Sequence, residues 1–115
     1  MTDRLADEAD VYVSTMTRFE VVRGMRDRER ESTFNLLNSF EALDVTSEIA
    51  DRAGELIRSW RKRGVTLGDA DAIIAATALQ HSLTLVTTNP KHFPMPELSI
   101  LQADEEGKLS PYKSG

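Results

Sequence analysis

The sequence predicts an α/β protein with a short, mainly parallel sheet. Short β-branched and apolar runs, typical of strands, alternate along the chain with segments of helical periodicity. An alternation of this kind favours parallel strands connected by helices, as in a three-layer α/β/α arrangement. The length of 115 residues suits one domain. We therefore expect a single domain over residues 1–101, followed by a polar, flexible tail over residues 102–115.

The first half of the chain contains two predicted strands and two predicted helices. A β-branched and aromatic run, 11–13, predicts a strand that ends near Ser14, and residues 42–45 predict a second strand. Between them, Thr17 followed by Glu20 has the spacing of a capping box, which would begin a helix that runs to about residue 25. A second helix over about 29–39 would bury two apolar side chains, Phe34 and Leu37.

The second half begins with the clearest helix of the sequence. Its apolar side chains recur on one face: Ile49, Ala53, Leu56, Ile57 and Trp60. Thr46 or Ser47 would start this helix, and Gly64 would end it. An alanine-rich helix follows from about Asp69 to Ser82, and its small side chains favour close packing against a sheet.

Two further strands are predicted near the end of the chain. Residues 83–87 form an apolar run that reads as a buried strand, and Asn89 with Pro90 supplies the turn that ends it. Residues 98–101 predict a last short strand. We find no internal repeat and no domain boundary.

Composition excludes several classes of protein. There is no cysteine, so neither a disulfide framework nor a thiolate metal site is available. No apolar run reaches the length of a membrane span, and the first residues do not resemble a signal peptide, so we expect a cytoplasmic protein without membrane contact. The net charge of −5 does not exclude a nuclease, since metal-binding carboxylates add negative charge that cations offset.

Basic residues are concentrated in two runs. One spans thirteen positions, with Arg18, Arg23, Arg26, Arg28 and Arg30. The other spans six positions, with Arg58, Arg61, Lys62 and Arg63. Each run is open to two interpretations, either a solvated helix face or a surface that contacts a polyanion. Arg18 and Arg23 are the candidates for contact with a polyanion.

Polar side chains that follow strands or begin helices are candidates for a site. Ligands of parallel α/β sheets bind beyond the carboxyl ends of the strands, so Glu20, Asp71 and Asn89 would converge at one edge of the sheet. Oxygen ligands without histidine or cysteine suit Mg²⁺ or Mn²⁺. Such a metal ion cleaves phosphodiesters by activating water and neutralising the leaving oxygen.

Each candidate also has a purely structural explanation. A capping box alone accounts for Glu20, an N-cap for Asp69, and the helix dipole for Asp71. Asn89 before Pro90 is typical of a turn. No motif pairs the two histidines, His81 and His92, so neither is a candidate for metal binding or general base catalysis.

Three stretches of the sequence resemble the PIN-domain family, and within it the VapC-type toxins. Residues 11–20, with Gly24, are similar to a strand followed by S-x-x-T-x-x-E and a trailing glycine. Residues 69–78 are similar to the helix start D-x-x-I-A-A-T-A, and residues 85–93 to L-V-T-x-[DN]-x-x-x-F. Their order and spacing agree over residues 11–101, so the resemblance covers nearly the whole chain.

The resemblance implies a role for each matching residue. Glu20 and Asp71 match metal-binding carboxylates, and Asn89 stands at the family's fourth site, which is aspartate or asparagine in relatives. Arg18 and Arg23 would contact RNA, the substrate of the family. Thr87 matches a supporting polar residue, and Ser14 and Thr17 match residues that shape the pocket. The family implies an endoribonuclease that uses Mg²⁺ or Mn²⁺, forms a homodimer and is inhibited by a small antitoxin protein.

The sequence departs from the family pattern at its beginning. The family starts with a strand that carries a catalytic aspartate, whereas residues 1–10 contain no such strand and only three aspartates, Asp3, Asp7 and Asp10. We favour a gene start placed at an internal methionine; a decayed gene and a short chain completed by a partner are the alternatives. Three functions therefore compete: the nuclease, a non-catalytic module that binds an antitoxin or a second copy, and an α/β protein whose polar residues are all caps and turns.

Overall fold

The structure is a computed structural model that describes residues 12–104 and 108–112. The chain forms two compact units, residues 1–45 and 46–115, and each is described by itself. Predictions for residues 1–11, including the start of the first strand at Val11 and the three aspartates there, lie outside the described residues. None of the helices in the described ranges is long and apolar enough to span a membrane.

The first unit is a parallel β-pair connected by two helices. Its elements, in chain order, are β1 (Tyr12–Ser14), α1 (Thr15–Gly24), a 3₁₀ turn (Asp27–Glu29), α2 (Arg30–Asn38) and β2 (Glu41–Leu43). β1 and β2 pair in parallel, with Val13 opposite Ala42. Parallel strands need a crossover connection, which α1 and α2 provide. The unit thus has the strand–helix–strand organisation expected from the sequence, although β2 lies one to two residues earlier than predicted.

The start of α1 differs from the prediction. Ser14, not Thr17, is the N-cap, and its hydroxyl oxygen accepts a hydrogen bond of 3.0 Å from the backbone N–H of Met16. The capping box proposed for Thr17 and Glu20 is therefore wrong, because both residues lie inside the helix. The capping box therefore does not explain the presence of a glutamate at position 20, because the Glu20 carboxylate does not cap α1.

The second helix of the first unit begins one residue later and ends one residue earlier than the predicted range of about 29–39. Before it, the Glu29 carboxylate accepts a 2.8 Å hydrogen bond from the Arg26 backbone N–H, and the Glu29 backbone N–H donates to the Arg26 carbonyl at 2.8 Å. Leu37 is buried as predicted. Phe34 is only half-buried, and the guanidinium of Arg30 lies over its ring at 5.1 Å.

The second unit consists of two packed helices and a three-stranded sheet. Its elements are α3 (Ser47–Arg61), α4 (Asp69–Gln80), β3 (Leu85–Thr87) and β4 (Ile100–Ala103), followed by β5 (Leu109–Tyr112). The strand order is β3–β4–β5, with β3 parallel to β4 and β5 antiparallel to it. The mixed α/β class with mainly parallel pairing is therefore confirmed.

The core of the second unit joins the helices to the loop before β4. Its buried residues come from α4, β4 and the connecting segments: Leu67, Ala75, Ala78, Phe93, Met95, Leu98 and Ile100. Leu56, Ile57 and Trp60 of the predicted α3 stripe pack against this cluster, while Ile49 and Ala53 are buried. Burial of a side chain such as Met95 is worth about 1.5–3 kcal/mol relative to exposure.

Parts of the predicted tail lie in strands. Among the described residues after 101, β4 continues to Ala103 and β5 pairs with it from Leu109 to Tyr112. Pro111 lies within β5, which is an edge strand and so tolerates the missing N–H.

The end of α3 is fixed by a Schellman motif, which predicts opposite effects of alanine at two glycines. Gly64 has φ +83°, its N–H donates to the Arg61 carbonyl at 2.9 Å, and the Val65 N–H donates to Trp60 at 3.0 Å. We expect Gly64→Ala to lower the free energy of unfolding by about 1 kcal/mol, because a Cβ is unfavourable at positive φ. Urea denaturation would measure the change.

Gly54→Ala is the matched control. Gly54 lies inside α3, a Cβ there would have no neighbour within 4 Å, and alanine should raise the free energy of unfolding by about 0.5–1 kcal/mol. If the two substitutions changed the free energy of unfolding equally, the positive φ at Gly64 would not be the feature that requires glycine there.

Candidate functional site

Asp71 lies in the first turn of α4. The N-cap of this helix is Gly68, not Asp69 as the sequence suggested, so Asp69 is the first helical residue. A Cβ on Gly68 would lie 3.4 Å from Oδ2 of Asp71, which shows that the carboxylate folds back over the start of the helix. The positive end of the helix dipole favours a carboxylate there. The Asp71 side chain remains 29% exposed, so it is accessible to a ligand.

The neighbouring alanines determine which way Asp71 faces. Ala72, Ala75 and Ala76 are fully buried, at the i, i+3 and i+4 spacing of one helix face. Rotation of α4 would expose this face, so Asp71 is held at the margin of the buried surface.

The loop after β3 carries the other predicted site residues of this unit. The Thr87 hydroxyl oxygen accepts a 3.0 Å hydrogen bond from the Asn89 backbone N–H, and the Asn89 side-chain amide donates to Thr88 at 3.3 Å. The carbonyl oxygen of the Asn89 side chain is the atom of this residue that is suited to bind a cation. Pro90 and Phe93 are buried and anchor the 3₁₀ turn that follows.

This turn brings His92 to Asp71, a contact that sequence reasoning missed. Nδ1 of His92 lies 3.4 Å from Oδ2 of Asp71, and the imidazole is 58% exposed. The structure therefore brings Asp71 and the loop of residues 87–92 together. Twenty-one positions separate the two residues, and no motif signals a contact over such a distance.

The remaining predicted residues belong to the first unit. Ser14 is buried as the N-cap of α1, and Thr17 and Glu20 are half-buried on that helix. Glu20 lines an open depression of about 430 Å³ together with Glu29 and Met25. Because Glu20 and Asp71 lie in different units, their convergence stays a prediction. No group of three His, Cys, Asp or Glu side chains suited to a metal ion occurs among residues 12–104 and 108–112.

The two arginines predicted to contact RNA have partners within the first unit. Arg18 donates a 3.3 Å hydrogen bond from its guanidinium to the side-chain carbonyl of Asn38, which links α1 to α2. The guanidinium of Arg23 lies 5.2 Å above the ring of Phe19, an aromatic side chain that is 55% exposed. Both arginines are oriented by these contacts, and contact with RNA remains a prediction.

The fold and the site define a mixed α/β protein with an accessible carboxylate at the start of a buried helix. A family model described as PIN domain matches residues 2–95. Ribonuclease VapC10 of Mycobacterium tuberculosis is 41% identical over 88 residues, which cover 76% of this chain and 66% of that protein. The chain thus spans about two thirds of the length of this curated relative. It belongs to the PIN-domain family.

Two solved structures have the same fold. DNA-bound VapBC from Salmonella typhimurium superimposes with a TM-score of 0.76 at 22% identity, covering 85% of this chain and 79% of that one. A toxin–antitoxin complex from Klebsiella pneumoniae gives a TM-score of 0.58 at 31% identity, with 87% and 72% covered. The predicted fold class and the predicted family are both confirmed.

The hydrogen bond from Asn89 to Thr87 predicts a local effect of substitution. Thr87→Val removes the acceptor, and we expect the Asn89 amide to exchange with solvent several-fold faster, because it loses a bond worth about 0.5–1.5 kcal/mol. Hydrogen exchange followed by NMR would measure the rate. Thr87→Ser keeps the hydroxyl and should keep the protection; equal exchange in both variants would show that the hydroxyl does not order this turn.

Proposed function

We propose that this protein is a divalent-metal-dependent endoribonuclease of the VapC type, the toxin of a toxin–antitoxin pair. The observation that carries the proposal is the accessible carboxylate of Asp71, held at the start of α4 in contact with the loop that follows β3. The 41% identity to a protein named ribonuclease VapC10 supports the reaction class. A cytoplasmic location is part of the same proposal.

The donor set suits a hard cation. Asp71 and Glu20 supply carboxylate oxygens, and Asn89 supplies an amide oxygen. Mg²⁺ is commonly held by one or two carboxylates, with waters and substrate phosphates completing its coordination. The lack of a cluster of three acidic or histidine side chains in the described ranges therefore does not conflict with Mg²⁺ or Mn²⁺. A bound metal ion would activate water and neutralise charge on the leaving oxygen.

The residues of the chain position this chemistry. Asp71 and Glu20 would hold the metal ion, and Asn89 would position the substrate through its side-chain amide. Thr87 acts through Asn89, since its hydroxyl sets the turn in which Asn89 lies. Ser14 would shape the pocket by fixing the start of the helix that carries Thr17 and Glu20. Of these residues, Asp71 is the one whose loss should lower the rate of RNA cleavage most.

An antitoxin, a second copy of the chain and RNA are the partners in this proposal. The Klebsiella pneumoniae relative was solved as a toxin–antitoxin complex, which supports a protein inhibitor for this chain. The homodimer and the RNA substrate follow from the family resemblance, and Arg18 and Arg23 are the proposed RNA contacts in the first unit.

Asp71→Ala should abolish RNA cleavage. We expect at least a hundredfold loss of Mg²⁺- or Mn²⁺-dependent cleavage of a labelled RNA, because the variant lacks a metal-binding carboxylate. Asp69→Ala is the matched control: Asp69 is an exposed carboxylate in the same helical turn, and its loss should leave the rate within about twofold. Gel electrophoresis of the RNA, with and without chelator, would measure both rates.

Cleavage that survives Asp71→Ala or chelation would contradict the proposed mechanism. If the unmodified protein shows no metal-dependent turnover but still binds an antitoxin, the chain is instead a non-catalytic binding module. We name this second function because no group of three His, Cys, Asp or Glu side chains suited to a metal ion occurs in the described part of the chain.

A further inference from the structure

The end of α3 carries a dense group of basic side chains that the proposed catalytic residues do not explain. Four exposed residues form this group: Arg58, Arg61, Lys62 and Arg63. Arg58 has an ion-pair partner, Glu55, at 3.8 Å in the same helix. Within the described ranges, no carboxylate lies within ion-pair distance of the other three residues, which we call the basic turn (Arg61, Lys62 and Arg63).

The backbone of the basic turn is anchored next to the core. The Schellman motif at Gly64 closes the helix, and Trp60 packs against the core of the second unit. The guanidinium of Arg63 lies 4.4 Å above the centre of the Trp60 ring, as in a cation–π contact. A guanidinium stacked in this way keeps its N–H groups free at the edge, where they match the oxygens of a phosphate group.

The helix dipole does not account for the whole group. The dipole favours cations within the last turn of a helix, but it does not require three of them in consecutive positions. Charge complementarity therefore favours an anionic partner for the basic turn. In a chain with a net charge of −5, the basic turn is the place in the second unit where cations outnumber acids most clearly.

The position of the basic turn favours a nucleic acid over other anions. Residues 62–68 connect α3 directly to α4, which carries Asp71. The six residue steps from Arg63 to Asp69 span at most about 22 Å, a distance that a few nucleotides of single-stranded RNA can bridge. Leu67 is buried and Val65 packs against the core, so the connection is anchored.

We propose that the basic turn binds the phosphate backbone of single-stranded RNA and holds the substrate near the start of α4. The inference rests on the proposed ribonuclease function, which it extends by assigning a substrate-binding surface outside the carboxylate site. Arg61 and Lys62 supply charge, and Arg63 supplies an oriented guanidinium for bidentate phosphate binding.

The test uses Trp60, the only tryptophan of the chain, as a reporter. The full-length Asp71→Ala protein, which should not cut RNA, is titrated with a short oligouridylate while tryptophan fluorescence and the anisotropy of the labelled RNA are followed. Binding at Arg63 should change the fluorescence. The triple substitution Arg61→Gln, Lys62→Gln and Arg63→Gln should weaken binding roughly tenfold or more and reduce the slope of log affinity against log salt by about 2.

Arg52→Gln is the matched control. Arg52 is an exposed arginine of the same helix, far from its carboxyl end, and it bonds to Gln80 at 3.2 Å. Its substitution should leave affinity and salt slope unchanged. The four basic side chains that are substituted, at positions 52, 61, 62 and 63, are exposed, and circular dichroism would verify that each variant is folded.

The outcomes separate this inference from the proposed function. RNA binding that depends on the basic turn, in a protein that never cleaves RNA, would support the inference and defeat the nuclease assignment. Cleavage that depends on Asp71, with RNA affinity and salt slope unaffected by the triple substitution, would overturn the inference alone. It would equally be overturned if the triple substitution abolished binding of polyglutamate but not of RNA, since the surface would then serve an acidic protein.

Discussion

The burial of the alanine face of α4 is the constraint on which the candidate site depends. Ala72, Ala75 and Ala76 have no exposed surface, so any larger side chain there would overpack the interior and force the helix to shift. This tight fit fixes the rotation of the helix about its axis. Asp71, one residue before Ala72, is thereby held at the edge of the buried face, where its carboxylate is supported by the start of the helix and remains accessible.

A second constraint comes from the loop between β3 and β4. Phe93 and Met95 bury their side chains in the same core as α4, and this shared core brings two distant segments of sequence together. The contact between His92 and Asp71 is the visible result. Packing of apolar side chains thus places the loop beside α4, and the hydrogen bond from the Asn89 N–H to the Thr87 hydroxyl then orders the turn locally.

An element was predicted correctly from the sequence where the residues that determine it are close together in the chain. α3 was predicted well because its apolar stripe, its N-cap Thr46 and its terminal Gly64 each depend only on neighbouring residues of the same helix. The N-cap of α1 was misplaced because Ser14 and Thr17 have the same hydroxyl chemistry, and only the course of the backbone distinguishes them. β5 was missed because it lies in a polar stretch of the sequence and includes a proline, which is uncommon in strands. It forms by pairing with β4, which no local pattern encodes.

The site poses an electrostatic difficulty that the fold also addresses. Carboxylates that attract a divalent cation repel the phosphates of an RNA substrate, and the net charge of −5 adds to this repulsion. In the proposed nuclease, affinity for RNA would therefore come from cations that are separate from the carboxylates but close enough to act on the same strand. The connection from α3 to α4 meets both requirements, because cations end one helix and an accessible aspartate lies in the first turn of the next. Val65 and Leu67 anchor this link to the core, so in the proposed nuclease it would keep the two charges apart while placing both near one stretch of substrate.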